Sequence, residues 1–152
     1  MPLFLTLLLV AGLPSTSRVS WMRPESFHLA IGMQRYDALK ALAAWNPKGG
    51  ATNDQIVVDY EGDKALTLEF RKDRLQSIRF ELFPYLPETR KVFEEEKTYL
   101  RQALGPPRKA TSSILIYDAV LPNVMVVVSD SATSAQGKKG LGVLAVRYYD
   151  PR

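Results

Sequence analysis

The stretch KALTLEFRKDRLQSIRFEL, residues Lys64–Leu82, decides the fold because it holds two strand patterns joined by a short charged turn. Apolar and polar residues alternate on both sides of the turn, which is typical of antiparallel strands with one buried face. Pairing Leu68 with Ile78 requires a loop of odd length, since a slip of one residue moves every side chain to the other face. We therefore expect a three-residue turn at Lys72-Asp73-Arg74. The inward residues are Leu66, Leu68, Phe70, Ile78, Phe80 and Leu82.

The outward side chains of this hairpin form the candidate functional surface. Predicted cross-strand pairs join Thr67 to Arg79 and Glu69 to Ser77, and such pairs hold neighbouring side chains in fixed positions. A rigid face that carries arginines and glutamates can select a protein partner by charge complementarity. A face that is merely solvated is the alternative interpretation. The candidate partner-binding residues are Thr67, Glu69, Arg71, Ser77, Arg79 and Glu81.

A strand pattern and a helix pattern precede the hairpin. Apolar residues alternate in QIVVDY, residues 55–60, and again in residues 27–31, which predicts extended segments. The period changes at Gly32, which we expect to be the N-cap of a helix that ends at Asn46-Pro47. The buried face of this helix is predicted to hold Met33, Tyr36, Leu39, Leu42 and Ala43, with Arg35, Asp37 and Lys40 in solvent.

A second helix is predicted from Pro87 to Leu104, because proline suits a first turn and Gly105-Pro106-Pro107 is a strong stop. Glu96 interrupts its apolar face, so we expect this carboxylate to reach the edge of the face or to pair with an arginine of the sheet. The face consists of Val92, Phe93, Glu96, Tyr99, Leu100, Ala103 and Leu104.

Three further strand patterns follow at 112–119, 123–130 and 140–150. They are apolar on both faces, which is typical of central or doubly covered strands. The polar segment 129–140 predicts a loop. A helix followed by three strands therefore occurs twice, in units 27–83 and 84–152. The sequence predicts an α+β fold of two α-β-β-β units related by internal duplication, with antiparallel sheets and helices packed on one face.

The N-terminal residues predict export. Leu3 to Leu13 form an apolar run that is too short for a transmembrane helix and is followed by small residues. We interpret residues 1–17 as a signal peptide, 18–26 as a linker and 27–152 as a single domain. The expected location is secreted or periplasmic, without a transmembrane anchor. A buried N-terminal element of a cytoplasmic protein is the alternative.

The composition limits the kinds of catalytic, metal and nucleic-acid sites that the chain can form. The chain has no cysteine and one histidine, His28, so neither a zinc site nor a catalytic triad is expected. Gly137–Gly142 lacks the spacing of a phosphate-binding loop. Twenty basic and sixteen acidic residues are interspersed, giving a net charge of +4 that favours a mixed, solvated surface over a nucleic-acid site. We predict no catalytic residue, no metal and no small-molecule cofactor.

Two short motifs resemble the superfamily of SmpA/OmlA outer-membrane assembly lipoproteins and β-lactamase inhibitor proteins. Gly32, Met33 and Gln34, followed by a helix, are similar to its G-M-(T/S) helix entry, and Leu104–Pro107 is similar to its L-G-x-P helix exit. The chain departs from this pattern because it has no lipid-bearing cysteine, and Gln34 replaces threonine or serine. The first helix also ends in Trp45-Asn46-Pro47, and the L-G-x-P motif closes the second helix instead. The resemblance implies a non-catalytic envelope protein that binds another protein across its sheet.

The functional hypothesis is therefore a non-enzymatic extracytoplasmic binding or scaffolding module with a protein partner in the cell envelope. One alternative is a small carboxylate-dependent hydrolase or lyase that uses Glu69, Arg71, Arg79 and Glu81. Another is a basic cell-surface or nucleic-acid binder. A closed pocket around a glutamate of raised pKa would favour the enzyme, whereas a broad hydrated face would favour binding.

Overall fold

A computed structural model describes residues 17–45, 47, 54–60, 62–118, 122–129 and 141–152 of the chain. The predicted signal peptide, except for Ser17, lies outside these residues, and so does the predicted polar loop apart from Ser129. Gly137–Gly140 likewise lie outside them.

Within the described residues, seven antiparallel strands form one sheet, which confirms the predicted α+β class. The strands are β1 (Gln55–Tyr60), β2 (Lys64–Arg71), β3 (Arg74–Leu82), β4 (Lys109–Ala110), β5 (Ile114–Tyr117), β6 (Asn123–Ser129) and β7 (Val143–Tyr149). Their order is β1-β2-β3-β7-β6-β5-β4. Each half of the chain therefore runs from one edge of the sheet towards the middle, where β3 pairs with β7.

Two α-helices, α1 (Arg35–Ala41) and α2 (Thr89–Leu104), pack against this sheet together with the N-terminal segment 17–33. Short 3₁₀ turns lie at Pro24–Phe27, Ala43–Trp45 and Leu86–Glu88. Apolar side chains from the helices, the segment and alternate strand positions form one buried cluster. We call the side of the sheet that faces this cluster the inner face and the opposite side the outer face.

The register of the β2–β3 hairpin is the predicted one, with Leu68 opposite Ile78. The predicted three-residue turn is wrong. The turn contains two residues, Lys72 and Asp73, which lie at φ values of 50° and 59°. Such left-handed residues are typical of the tight turns that join twisted antiparallel strands.

A β-bulge reconciles the short turn with the predicted register. Beside the turn, Phe70 pairs with Leu75, but one step further along Glu69 pairs with Ser77. Gln76 is therefore the extra residue of β3, and its carbonyl accepts a hydrogen bond of 3.0 Å from the N–H of Asp150 beyond β7. A bulge changes the parity of the register locally, so the alternation beyond it could not reveal the turn length.

The segment before α1 is not extended, contrary to the prediction for residues 27–31. Pro24–Phe27 form a 3₁₀ turn, and His28 follows in the left-handed region with φ 56°. Phe27 and Leu29 are nevertheless both buried in the core. A turn and a strand can bury the same alternate residues, so the alternation of apolar residues at 27–31 does not distinguish a turn from a strand.

Gly32 lies at φ 92°, but it is not the helix N-cap that we predicted. Its N–H donates to the carbonyl of Leu75 at 2.7 Å, so the chain here pairs with the start of β3. Gln34 is the N-cap, and the helix starts at Arg35. Tertiary pairing with the hairpin therefore delays the helix by two residues.

The late start also changes which side chains of α1 are buried. Leu42 is fully buried as expected. Tyr36 is 73% exposed, Ala43 is exposed and Arg35 is only 8% exposed, so these three predictions are wrong. Arg35 Nε donates to Asp73 at 2.8 Å, and its Nη2 lies 3.1 Å from Asp54. The arginine thus ties the start of α1 to the β2–β3 turn.

Residues 18–26, which were interpreted as a linker, contribute Val19, Met22 and Arg23 to the interior. Met22 is fully buried and belongs to the main hydrophobic cluster. These residues pack as part of the domain.

The buried face that was predicted for α2 is confirmed in part. Val92, Phe93 and Leu100 of α2 are buried, whereas Tyr99 and Leu104 are 38% and 41% exposed.

In β6 and β7, buried residues alternate with half-buried ones. The prediction for these strands allowed a central position or cover on both faces, and the sheet order confirms the central position, since β5, β6 and β7 all lie between other strands.

Candidate functional site

The outer face carries the predicted partner-binding residues. Glu69, Arg79 and Glu81 alternate with core residues, and the register confirms the predicted pairs Thr67–Arg79 and Glu69–Ser77. Arg71 is exposed beside the turn, and its Nη1 lies 3.4 Å from the carbonyl oxygen of Arg152. All six predicted residues thus belong to the same face of one hairpin.

Two of these residues are not exposed as expected. Thr67 and Ser77 retain only 4% and 1% of their accessible surface, respectively. Short side chains in a row of long ones are covered by their neighbours, and Arg147 from β7 donates its Nε–H to Ser77 Oγ at 2.8 Å. These two side chains lie beneath their longer neighbours and offer little accessible surface to a partner.

Arg147 is the central charge of the outer face, and it was not among the site residues predicted from the sequence. It lies directly between Arg79 on β3 and Met125 on β6. Its Nη2 is 3.6 Å from Glu69 Oε2, and its guanidinium lies over the Tyr149 ring at 5.0 Å. The alternation of inward Val146 and Tyr148 around Arg147 was the signal that could have identified it.

Most charged side chains of the outer face lie on the β2–β3–β7 side, although Lys109 of β4, which pairs with Ile116, adds a charge at the opposite edge. We call Glu69, Arg79, Glu81 and Arg147 the charged half, in which Arg79 Nε also lies 3.5 Å from Glu81 Oε1. Half-buried apolar side chains of β5, β6 and β7 continue the outer face, and we call them the apolar half: Ile114, Ile116, Met125, Val127 and Ala145. An apolar surface beside fixed arginines resembles the composition of protein interfaces.

A second polar cluster lies inside the core. Arg23 Nη1 and Nη2 lie 2.9 Å and 3.1 Å from the two carboxylate oxygens of Glu96. The guanidinium also stacks on the Tyr99 ring at 3.7 Å, and its Nη1 donates to the carbonyl of Met22 at 2.6 Å. Tyr148 donates its hydroxyl hydrogen to the same carbonyl at 3.1 Å. Glu96 therefore pairs with the N-terminal segment, not with an arginine of the sheet.

Burial dominates the electrostatics of this cluster. It raises the pKa of Glu96 to about 7, although the charge and hydrogen bonds of Arg23 act in the opposite direction. Burial likewise raises the pKa of Tyr148 and of Tyr117 above the usual value. Since Glu96 has no accessible surface, its carboxylate is sealed from any ligand on the described surface.

Arg23 also lines a groove of about 870 Å³. Residues 23–32, the C-terminal half of α2 and the ends of β5, β6 and β7 enclose it. Tyr99 and Tyr148 contribute to its wall, and Glu96 does not. The groove is therefore separate from the outer face and from the buried carboxylate.

His28 is exposed in its left-handed turn, apart from both surfaces. Among the described residues, no three or more histidine, aspartate or glutamate side chains come together in a way that could hold a metal ion. No helix in the described part of the chain is both long and apolar enough to span a bilayer.

Comparison of the chain with protein families, with curated proteins and with solved structures found no match.

Proposed function

We propose that the protein is a non-enzymatic binding module that docks a protein partner of the cell envelope on its outer face. The observation that carries this proposal is the Arg147–Glu69–Ser77 contact set next to the apolar half. Arginine held by hydrogen bonds loses little side-chain freedom on binding, and adjacent apolar surface supplies the gain from excluding water. Arginine held in place and apolar surface beside it, two features that favour binding, therefore occur on one rigid sheet.

The size of the outer face fits this role. Strands about 4.8 Å apart, with about six residues each at about 3.4 Å per residue, give seven strands a face of roughly 600 Å². A typical stable interface buries about 800 Å² on each partner. The outer face is thus large enough to form the centre of an interface, with neighbouring loops at the rim.

One observation favours the competing hydrolase or lyase. The pKa of Glu96 is raised to about 7, and carboxylates with such pKa values occur at catalytic sites. Against this, Arg23 covers Glu96, and a general acid must lie within hydrogen-bond reach of its substrate. Glu69 and Glu81, the carboxylates expected for an enzyme, lie on an open face where water competes. The geometry therefore supports binding better than catalysis.

The remaining parts of the proposal rest on the sequence and on strand order. Export to the periplasm or medium is supported by the apolar run Leu3–Leu13. Duplication of an α-β-β-β unit is supported by the order β1-β2-β3 and β7-β6-β5, in which each half approaches the middle from its own edge. A basic cell-surface or nucleic-acid role has less support, since arginines of the charged half contact glutamates.

Charge reversal on the outer face tests the proposed function. The tagged domain with Arg71→Glu and Arg79→Glu should lose the proteins that the wild-type domain captures from envelope extract after cross-linking. Lys40→Glu with Lys91→Glu is the control, because it makes the same change in charge at exposed positions on the helices. Both variants must keep the wild-type thermal midpoint. Equal capture by both folded variants would exclude the outer face as the docking site.

A further inference from the structure

The groove beside α2 has the dimensions of a ligand site. Its volume of about 870 Å³ lies within the range of about 300–1,000 Å³ that is common for small-molecule sites. Its apolar lining comes from three separate parts of the chain: Leu29, Ile31, Leu100, Leu104 and Val124. Such a concave apolar surface can cover most of a small ligand.

The groove also keeps apolar side chains in contact with water. Tyr99 and Leu104 are among the large apolar residues that remain exposed in the described structure, and both line the groove. Neither lies on the outer face, so a protein docked there would leave them exposed. Exposed apolar surface inside a concave site is a recurring mark of a binding site.

The charge around the groove is negative, although the whole chain has a net charge of +4. Glu25, Asp118 and Asp150 line the groove together with Arg23 and Arg152. The C-terminal end of α2, which carries the negative end of the helix dipole, also opens into it.

Each arginine at the groove is paired with a carboxylate, and one further carboxylate, that of Glu25, has no such partner in the described part of the chain. Arg23, Arg152 and Arg108 each contact a carboxylate: Glu96, Asp150 and Asp118, respectively. Among the residues that line the groove, three carboxylates, Glu25, Asp118 and Asp150, therefore face two guanidinium groups, Arg23 and Arg152. Glu25 is exposed and has no arginine or lysine partner within the described part of the chain.

We propose that this groove binds a small amphipathic cation, with the apolar body against Tyr99 and Leu104 and the cationic group beside Glu25. Apolar burial supplies most of the affinity, and the carboxylate selects the charge of the head group. An anionic amphiphile of the same length meets an unfavourable charge in the groove despite the positive charge of the whole protein. The groove is a second site, independent of the outer face.

Titration with three probes that share a decyl chain tests the selection of charge. Decyltrimethylammonium, decyl glucoside and decyl sulfate are compared by calorimetry below the concentration at which each forms micelles. We expect one saturable site, with the ammonium probe bound most tightly and the sulfate probe most weakly. Glu25→Gln should weaken the ammonium probe about fivefold and leave the glucoside unchanged, as for a solvent-exposed ion pair. Sulfate binding as tight as ammonium binding would overturn the proposal.

A second set of variants tests the location. Ala103→Trp fills the groove and should weaken all three probes at least tenfold, whereas Ala43→Trp, at an exposed position outside the groove, should not. Leu104→Gln removes apolar wall at a position that is 41% exposed, and it should weaken all three probes even if Ala103→Trp does not fold. Unchanged affinity in the folded groove variants would place the probes elsewhere. The outer-face variant Arg79→Glu, at a residue that does not line the groove, should bind all three like the wild type.

Discussion

Arg23 and Glu96 are 73 residues apart in the sequence, yet their side chains meet inside the core with 2.9 Å between Nη1 and Oε1. The side chain of Arg23 is 5% exposed and that of Glu96 is fully buried. Removing two charges from water costs several kcal/mol for each ion, which their attraction only partly offsets. The contact therefore makes each residue dependent on the other, and it ties the N-terminal segment to α2.

A double-mutant cycle on this pair should show strong coupling. At about pH 8.5, where a carboxyl of pKa about 7 is mainly ionised, Arg23→Met and Glu96→Leu should each lower the free energy of unfolding by about 3–5 kcal/mol, because each removes one partner of a buried ion pair. The double variant should recover most of that loss, since apolar side chains of similar volume replace both charges. Urea unfolding measures the three differences.

The exposed ion pair Arg18–Glu88, with 2.7 Å between Nη1 and Oε2, is the control. Its side chains are 38% and 46% exposed, so Glu88→Gln should change stability by less than about 1 kcal/mol. Additive losses in the Arg23→Met/Glu96→Leu variant would contradict the dependence of one residue on the other.

The pH dependence of stability should carry the signature of Glu96. Burial raises the pKa of its carboxyl from 4.5 in the unfolded chain to about 7 in the folded protein, so between these values the folded state binds a proton that the unfolded state does not. The free energy of unfolding should therefore rise as the pH falls from about 7 to about 4.5, with a Glu96 contribution of up to about 1 kcal/mol per pH unit. Urea unfolding at several pH values measures this slope.

Glu96→Gln should remove that part of the slope, whatever it does to stability at one pH. Glu94→Gln is the matched control, because Glu94 is exposed on the same helix. A wild-type slope in Glu96→Gln, or its loss in Glu94→Gln, would assign the pH dependence to other groups.

Leu100 should be far more sensitive to truncation than its neighbour Lys97. Leu100 is 2% exposed and packs in the main cluster, so Leu100→Ala should lower the free energy of unfolding by about 2–5 kcal/mol. Lys97→Ala should stay within about 0.5 kcal/mol, since it removes no core contact. Similar losses in urea unfolding of the two variants would mean that the buried face of α2 is not the one described.

The β2–β3 turn offers a stabilising change. Lys72 lies at φ 50°, a conformation that costs most side chains energy but suits asparagine. Lys72→Asn should raise the free energy of unfolding by several tenths of a kcal/mol to about 1 kcal/mol, and Lys72→Val should lower it. Asp73 is left unchanged because it binds Arg35. Thermal midpoints of the two variants on opposite sides of the wild type are the expected result, and the reverse order would contradict the left-handed turn.

The fold was predictable where the evidence is local. Alternation placed Leu68 opposite Ile78, and the stop at Gly105 ended α2, because both depend on neighbours in the chain. The turn length failed because the bulge at Gln76 leaves no mark in composition. The start of α1 failed because pairing with Leu75, a contact distant in sequence, overrides the local preference at Gly32.

The candidate site was predictable in part for the same reason. The outward residues of one hairpin were identified, but Arg147 comes from a strand that is distant in the sequence and adjacent in the sheet. The partner of Glu96 was misassigned because no local pattern connects a helix to residue 23. Burial of Thr67 and Ser77 on an otherwise hydrated face follows from the long side chains beside them, which a single-strand pattern does not include.

The position of β7 has a consequence for synthesis of the protein. The other six described strands leave the ribosome before β7, yet β7 supplies the central partner of both β3 and β6. Until it emerges, the nascent chain has two half-sheets, each with an open edge that can pair with another chain. Pairs such as Phe80–Val146 also close a long loop of chain, which slows completion of the sheet. The growing polypeptide is therefore prone to aggregate through these edges, and they need protection until the strand that joins them is complete.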